Sequence, residues 1–271
     1  MFLRTLIAAS FVFAVLVTAA RAQDEELKTE AQNEPEVKVD LTKEQTDGIQ
    51  VAESAIVVYS GLRGRTGLGQ IRKTTVEVGT TTYTEKNGSK RNAEYVQRII
   101  RGESFEDEKI RLDQKFPNAD YALIYDGGKI FGVISNTVFS PREDAEDDFR
   151  NRLVHGVEAL LRYRENGSNI VLKESDKIMG VDYYVILLTD KQGRETTFYV
   201  SKKTLRVMML RYEHDGVRYE RKFYDHNYAQ GTLVPYRTVL KADGKQIEES
   251  TIATVTFGQS VEESLFTFSA A

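Results

Sequence analysis

Three histidines, a glycine-rich stretch and an acidic run are the places where this chain could do chemistry. His155, His214 and His226 have no metal-ligand spacing between them. His214 stands beside Asp215 and His226 beside Asp225, and sequence neighbours on a strand point to opposite faces, so neither pair reads as an acid–base couple. A nucleophilic triad would also need an activated serine, and there is no Gly-x-Ser-x-Gly elbow. Turn or surface histidines are the better reading. Gly61, Gly64, Gly67 and Gly69 lack both the dinucleotide spacing and the Gly-Lys-Ser/Thr of a phosphate loop, and they follow a helix where a phosphate loop would precede one. A flexible connection or a close backbone approach is expected there. Glu143, Asp144, Glu146, Asp147 and Asp148 lack the loop glycine and alternate spacing of a calcium hand; at a helix start they complement the macrodipole. Asn87-Gly88-Ser89 and Asn166-Gly167-Ser168 fit a glycosylation sequon, but they fit tight turns better. No catalytic residue, cofactor or metal is therefore expected, and an exported hydrolase would need an acid–base cluster that is not offered.

The elements that would position a site begin with an export signal. Arg4, an apolar run over 6–17 and Ala20-Arg21-Ala22 have the layout of a secretory signal peptide cleaved after Ala22. The run is too short for a membrane span, which needs ~20 predominantly apolar residues. The expected organisation is a signal peptide over 1–22, a flexible acidic leader over 23–46 and a single domain over 47–271. The 271 residues include no cysteine, so neither disulfides nor an N-terminal lipid anchor is available, and a soluble protein with a sizeable core is expected. A formal net charge of −4 argues against a nucleic-acid surface.

Ile49, Ala52, Ile56 and Val57 fall at helical spacing, with Gly61 placed to stop the helix. The period then changes to two. Strands are expected over 74–83, 93–101, 108–115, 121–125 and 129–135, with Asn87-Gly88 and Asp126-Gly127-Gly128 as turns. Ser140-Pro141-Arg142-Glu143 reads as an N-cap serine, a first-turn proline and a capping-box glutamate. The helix it opens carries Phe149, Leu153, Leu160 and Leu161 on one side through about Tyr163. Seven further strands follow, over 170–175, 181–189, 195–201, 205–213, 217–224, 235–241 and 248–257. Short glycine turns separate several of them, and short links favour antiparallel neighbours.

Several strands are apolar on both faces. Val217, Tyr219 and Phe223 share one face of their strand and Arg218, Glu220 and Lys222 the other, as in a half-buried strand. In 181–188, by contrast, Val181, Tyr183, Val185 and Leu187 oppose Tyr184, Ile186 and Leu188. A sheet apolar on both sides needs a second cover. Helices completing a filled core would supply it, and so would a greasy ligand in a cavity with the helices as a partial lid.

The stretch Thr197-Phe198-Tyr199-Val200-Ser201-Lys202-Lys203-Thr204-Leu205-Arg206-Val207 resembles the strand, Lys-Thr turn and strand of the periplasmic lipoprotein carrier and sorting-protein superfamily (LolA-like). Phe223-Tyr224-Asp225, Leu233-Val234-Pro235-Tyr236 and the ending over 260–266 are similar to its later elements. The resemblance implies a mainly β (α+β) fold, in which a curved antiparallel sheet forms an unclosed β-barrel with helices on the concave side. It implies a periplasmic or secreted carrier that shields lipid or lipoprotein acyl chains without a chemical step. Membrane-associated delivery and acceptor proteins would be its partners, the protein would be a monomer, and no nucleic acid is involved. It also implies an arginine near the cavity that holds a closed state, for which Arg72 is a candidate. On this reading the ligand wall comes from Tyr121, Leu123, Tyr183, Val185, Leu187 and Met209, faced by Phe149, Leu153 and Leu160 from the helix. The rival is an exported structural or protein-interaction domain on the same fold, with a filled core and no ligand.

Overall fold

The computed structural model describes residues 41–267. The expected signal peptide and most of the leader lie outside them. Thirteen strands form one antiparallel sheet in the order β6-β5-β4-β3-β2-β1-β13-β12-β11-β10-β9-β8-β7, with β6 and β7 as its free edges. The first half contains β1 (Thr74–Thr84), β2 (Lys90–Ile100), β3 (Lys109–Phe116), β4 (Ala119–Asp126), β5 (Lys129–Ile134) and β6 (Thr137–Phe139). The second contains β7 (Asn169–Ile178), β8 (Val181–Thr189), β9 (Glu195–Ser201), β10 (Val207–His214), β11 (Val217–Ala229), β12 (Thr232–Ala242) and β13 (Lys245–Phe257). Each half is a meander of neighbouring hairpins, and β13 joins the halves by pairing with β1. The expected mainly β, unclosed antiparallel sheet is what forms.

Among the described residues, four α-helices accompany the sheet: α1 (Lys43–Tyr59), α2 (Gly64–Ile71), α3 (Glu143–Val154) and α4 (Val157–Leu161). Helix α1 begins earlier than its apolar spacing suggests, because Thr42 and Gln45 form a reciprocal capping box. The glycine-rich stretch is helical from Gly64. Close approach does occur at Gly61, whose φ is +59° and where a Cβ would lie 2.3 Å from the Gly231 carbonyl. The expected single helix from Pro141 to Tyr163 is corrected twice. It starts at Glu143 with Arg142 extended and no side-chain cap, and it breaks at His155–Gly156, where Gly156 has φ −114° and ψ 171°. That break separates Phe149 and Leu153 from Leu160 and Leu161.

The register shows which side chains share a face. One row of directly opposed residues crosses nine strands: Leu172, Ile186, Phe198, Leu210, Arg221, Leu240, Glu248, Tyr83 and Arg91. The row starts apolar and turns polar at Arg221. Over its apolar part, α1 lays Val51, Ala52, Ala55, Ile56 and Tyr59 onto Ile186, Phe198 and Leu210, all buried. Burying each large side chain there contributes roughly 1.5–3 kcal/mol. A second cluster joins Phe149 of α3 to Tyr95, Ile99, Ile110, Leu112, Leu123 and Tyr125, and these belong to the same face by pairing. On the opposite face Phe266, fully buried beside the short turn Glu263–Leu265, packs on Ala122, Ile124 and Val133.

Candidate ligand-binding site

Helix α3 sits on the sheet differently from α1. Its first turns are Glu143, Asp144, Glu146, Asp147 and Asp148, and its first large apolar side chain is Phe149. Carboxylates cannot be driven into an apolar interior, so that end of the helix leaves the sheet unplugged. An open hollow of about 520 Å³ results. Its walls carry Phe116, Tyr121, Leu123, Phe139, Phe149 and the pair Tyr212 and Tyr219. Phe116 stacks on Tyr121 with ring centroids 5.8 Å apart, and Tyr212 on Tyr219 at 4.8 Å. Gly132 makes room for the Phe139 ring, since a Cβ there would lie 2.2 Å from Phe139 Cζ.

A second hollow of about 220 Å³ continues along the same face and shares Arg152, Arg221 and Glu248 with the first. Its far end reaches Arg72, Glu158 and Phe257. The space between the two apolar clusters is strongly polar. Arg152 of α3 pairs with Glu248 of β13 at 2.6 Å. Arg72 pairs with Glu158 of α4, Glu158 with Arg101 at 3.2 Å, Arg101 with Glu108 at 2.6 Å, and Glu108 with Arg162. Burial raises the Glu158 carboxyl, but Arg101 and Arg72 more than offset it and leave it below its usual range. Burial instead raises Glu77, whose carboxyl accepts a 2.6 Å hydrogen bond from the Tyr95 hydroxyl. His155 at the helix break is 2% exposed, shares a 2.7 Å hydrogen bond with Thr196 Oγ1 and stacks on Tyr212 at 3.9 Å. Burial first and then Arg221 push its pKa down to about 3, so it is neutral.

The nine residues read from sequence do not line one wall. Tyr121, Leu123, Phe149 and Leu153 come together in one cluster; all but Leu153 line the larger hollow, and Leu153 lines the smaller. Leu160 is closed into the core under α1. Tyr183, Val185 and Met209 form a cluster with Tyr199 in which no helix takes part. They and Leu187 alternate with Ile186 and Leu188, which face α1, and so belong to the outer face. Strand β8 is apolar on both sides, so its parity is fixed by pairing with β9 and not by its own residues. Arg72 is 7% exposed and ties α4 to β12, donating to Thr232 Oγ1 at 3.0 Å and to the Leu233 carbonyl at 2.6 Å besides pairing with Glu158.

Apart from Arg72, sequence reading missed the charged interior. Arg221 is the clearest case: it lies between Tyr219 and Phe223 in their inward row and is 6% exposed. A cation inside an otherwise uncharged inward series of Val217, Tyr219 and Phe223 was the available signal. Asp147, His214 and Asp215, which share no ligand spacing in sequence, each bring one potential metal-ligand atom within 4.8 Å of the others. All three are at least partly solvent-exposed, and burial of the described residues does not enclose an ion there.

No family model and no curated protein sequence matches the chain. Solved structures do. A DUF1329-family protein from Desulfovibrio piger superposes with a TM-score of 0.61 at 12% identity, covering 83% of this chain and 98% of the other. A LolA superfamily protein from Nitrosomonas europaea gives 0.56 at 13% identity, over 80% of this chain and 97% of that one. A putative outer-membrane lipoprotein-sorting protein domain from Vibrio parahaemolyticus gives 0.51 at 12% identity, over 82% and 97%. The chain therefore has the fold of LolA-like proteins, an antiparallel sheet that is not closed into a barrel.

Proposed function

We propose that this protein is an exported, periplasmic binding or carrier protein that shields a hydrophobic ligand, lipid or lipoprotein acyl chains, without a chemical step. The observation that carries the reading is the 520 Å³ hollow under α3, walled by Tyr121, Leu123, Phe116, Phe139 and Phe149. Apolar and aromatic walls mark a small-molecule site, and here charged side chains such as Arg91, Arg152, Arg221 and Glu248 share the lining. The similarity in fold to a lipoprotein-sorting protein domain and a LolA superfamily protein supports the same class of role. Delivery and acceptance at a membrane would fall to partner proteins, with the carrier itself a monomer.

The filled half of the molecule favours a second reading, an exported protein-interaction domain. The two diverge in one measurement. Native mass spectrometry after gentle purification should show additional lipid mass, and Leu153→Asp should abolish it. A wild-type protein of bare polypeptide mass, with no lipid in an organic extract, would leave only the interaction domain.

A further inference from the structure

Resting on the carrier reading, we infer that the ligand bears an anionic group, a phosphate or carboxylate, which is received by Arg221 at the junction of the two hollows. Arg221 is 6% exposed and lines both. Its Nη1 donates to the carbonyls of Arg152 and His155 at 3.3 and 3.0 Å, the end of α3. Its Nε is buried without a partner, and among the described residues no carboxylate lies within ion-pair distance. Every neighbouring cation differs in this. Arg152 has Glu248, and in the larger hollow Arg91 has Glu85 and Arg142 has Asp144.

A guanidinium withdrawn from water without a counter-charge costs several kcal/mol, and two neutral carbonyls offset part of that. The rest is recovered when an anion arrives, because a planar fork of donors matches the oxygens of phosphate or carboxylate. The position also suits an amphiphile. Tyr212 and Tyr219 stand beside Arg221 on the sheet, while Tyr121, Leu123 and Phe149 lie across the same hollow. A head group at Arg221 would leave its chain against those walls.

The test compares binding of decyl phosphate, decanol and inorganic phosphate to the intact protein by titration calorimetry. Decyl phosphate should bind at least about tenfold tighter than decanol, and Arg221→Met should bring that ratio close to one. Arg221→Lys, which keeps the charge, should retain part of the preference. A purely structural arginine would change melting temperature in these variants and leave the ratio alone. Should Arg221→Met fail to fold, the wild-type ratio decides. Equal affinity for decyl phosphate and decanol overturns the anion site and leaves the carrier reading standing. Inorganic phosphate binding as tightly as decyl phosphate supports the anion site and removes the acyl chain from the ligand, against the carrier reading. An unchanged ratio in Arg221→Met overturns the assignment to this residue.

Discussion

The two ends of one cross-strand row are built from opposite materials. From Leu172 through Leu210 the row is apolar and sealed by α1, whose Ala52 and Ala55 let the helix approach closely. From Arg221 through Arg91 it is mostly polar, and the helix above, α3, opens with carboxylates. The sheet face is continuous; the covering helix decides which half is core and which is hollow. A filled core and an open hollow are therefore not alternatives in this molecule. Each occupies its own half, and a belt of ion pairs runs between them.

The largest effect should come from that belt. Glu108 is 2% exposed between Arg101 and Arg162, so Glu108→Ala leaves the interior Arg162 guanidinium without its anion and Arg101 with Glu158 alone. The expected loss is about 3–5 kcal/mol in urea unfolding. A loss below about 1 kcal/mol would mean the belt is hydrated and the two halves are not separated by it. Next comes Ile56→Ala in the filled half. Its side chain is fully buried, and the cavity should cost about 2–5 kcal/mol while leaving any co-purified lipid unchanged. Leu153→Asp should do the reverse, losing lipid at a smaller cost in stability, because Leu153 borders open space. If Ile56→Ala emptied the protein of lipid, the division into filled and hollow halves would be wrong.

Much of the sheet was legible because its signals are local. Alternation, Asn-Gly and Asp-Gly turns place the strands, and the Lys202-Lys203-Thr204 turn marks the fold. Face assignment needs propagation from strand to strand. Asp215-Gly216 sets His214 opposite Val217, which makes Tyr212 face Tyr219 and Leu210 face Arg221. Carried two strands further, that register puts Phe198 and Ile186 inward and Tyr183 and Val185 outward. Reading β8 by itself could not choose. The ion-pair belt was less accessible still, since Glu108, Glu158 and Glu248 are distant in sequence and each looks like an ordinary surface carboxylate. The break at Gly156 hides for a similar reason: its apolar spacing continues across it.

His155 lies at that break and tests how dry the boundary is. Its ring stacks on Tyr212, which belongs both to the sealed core and to the wall of the hollow. With its folded pKa pushed down to about 3, against about 6.5 when unfolded, the native state refuses a proton that the unfolded chain accepts. The contribution to stability is complete above pH 6.5 and is lost as the pH falls from there towards 3. Lowering the pH from 7.5 to 5 should thus cost about 2 kcal/mol through this group. Carboxylates add their own acid sensitivity, so the informative quantity is the difference from His155→Asn, which can still meet Thr196 but does not titrate. Urea midpoints at the two pH values should fall less for the variant, by the equivalent of about that amount. Parallel slopes would show that His155 takes its proton in the folded state, that water reaches the helix break, and that the hollow extends into the core beneath α1.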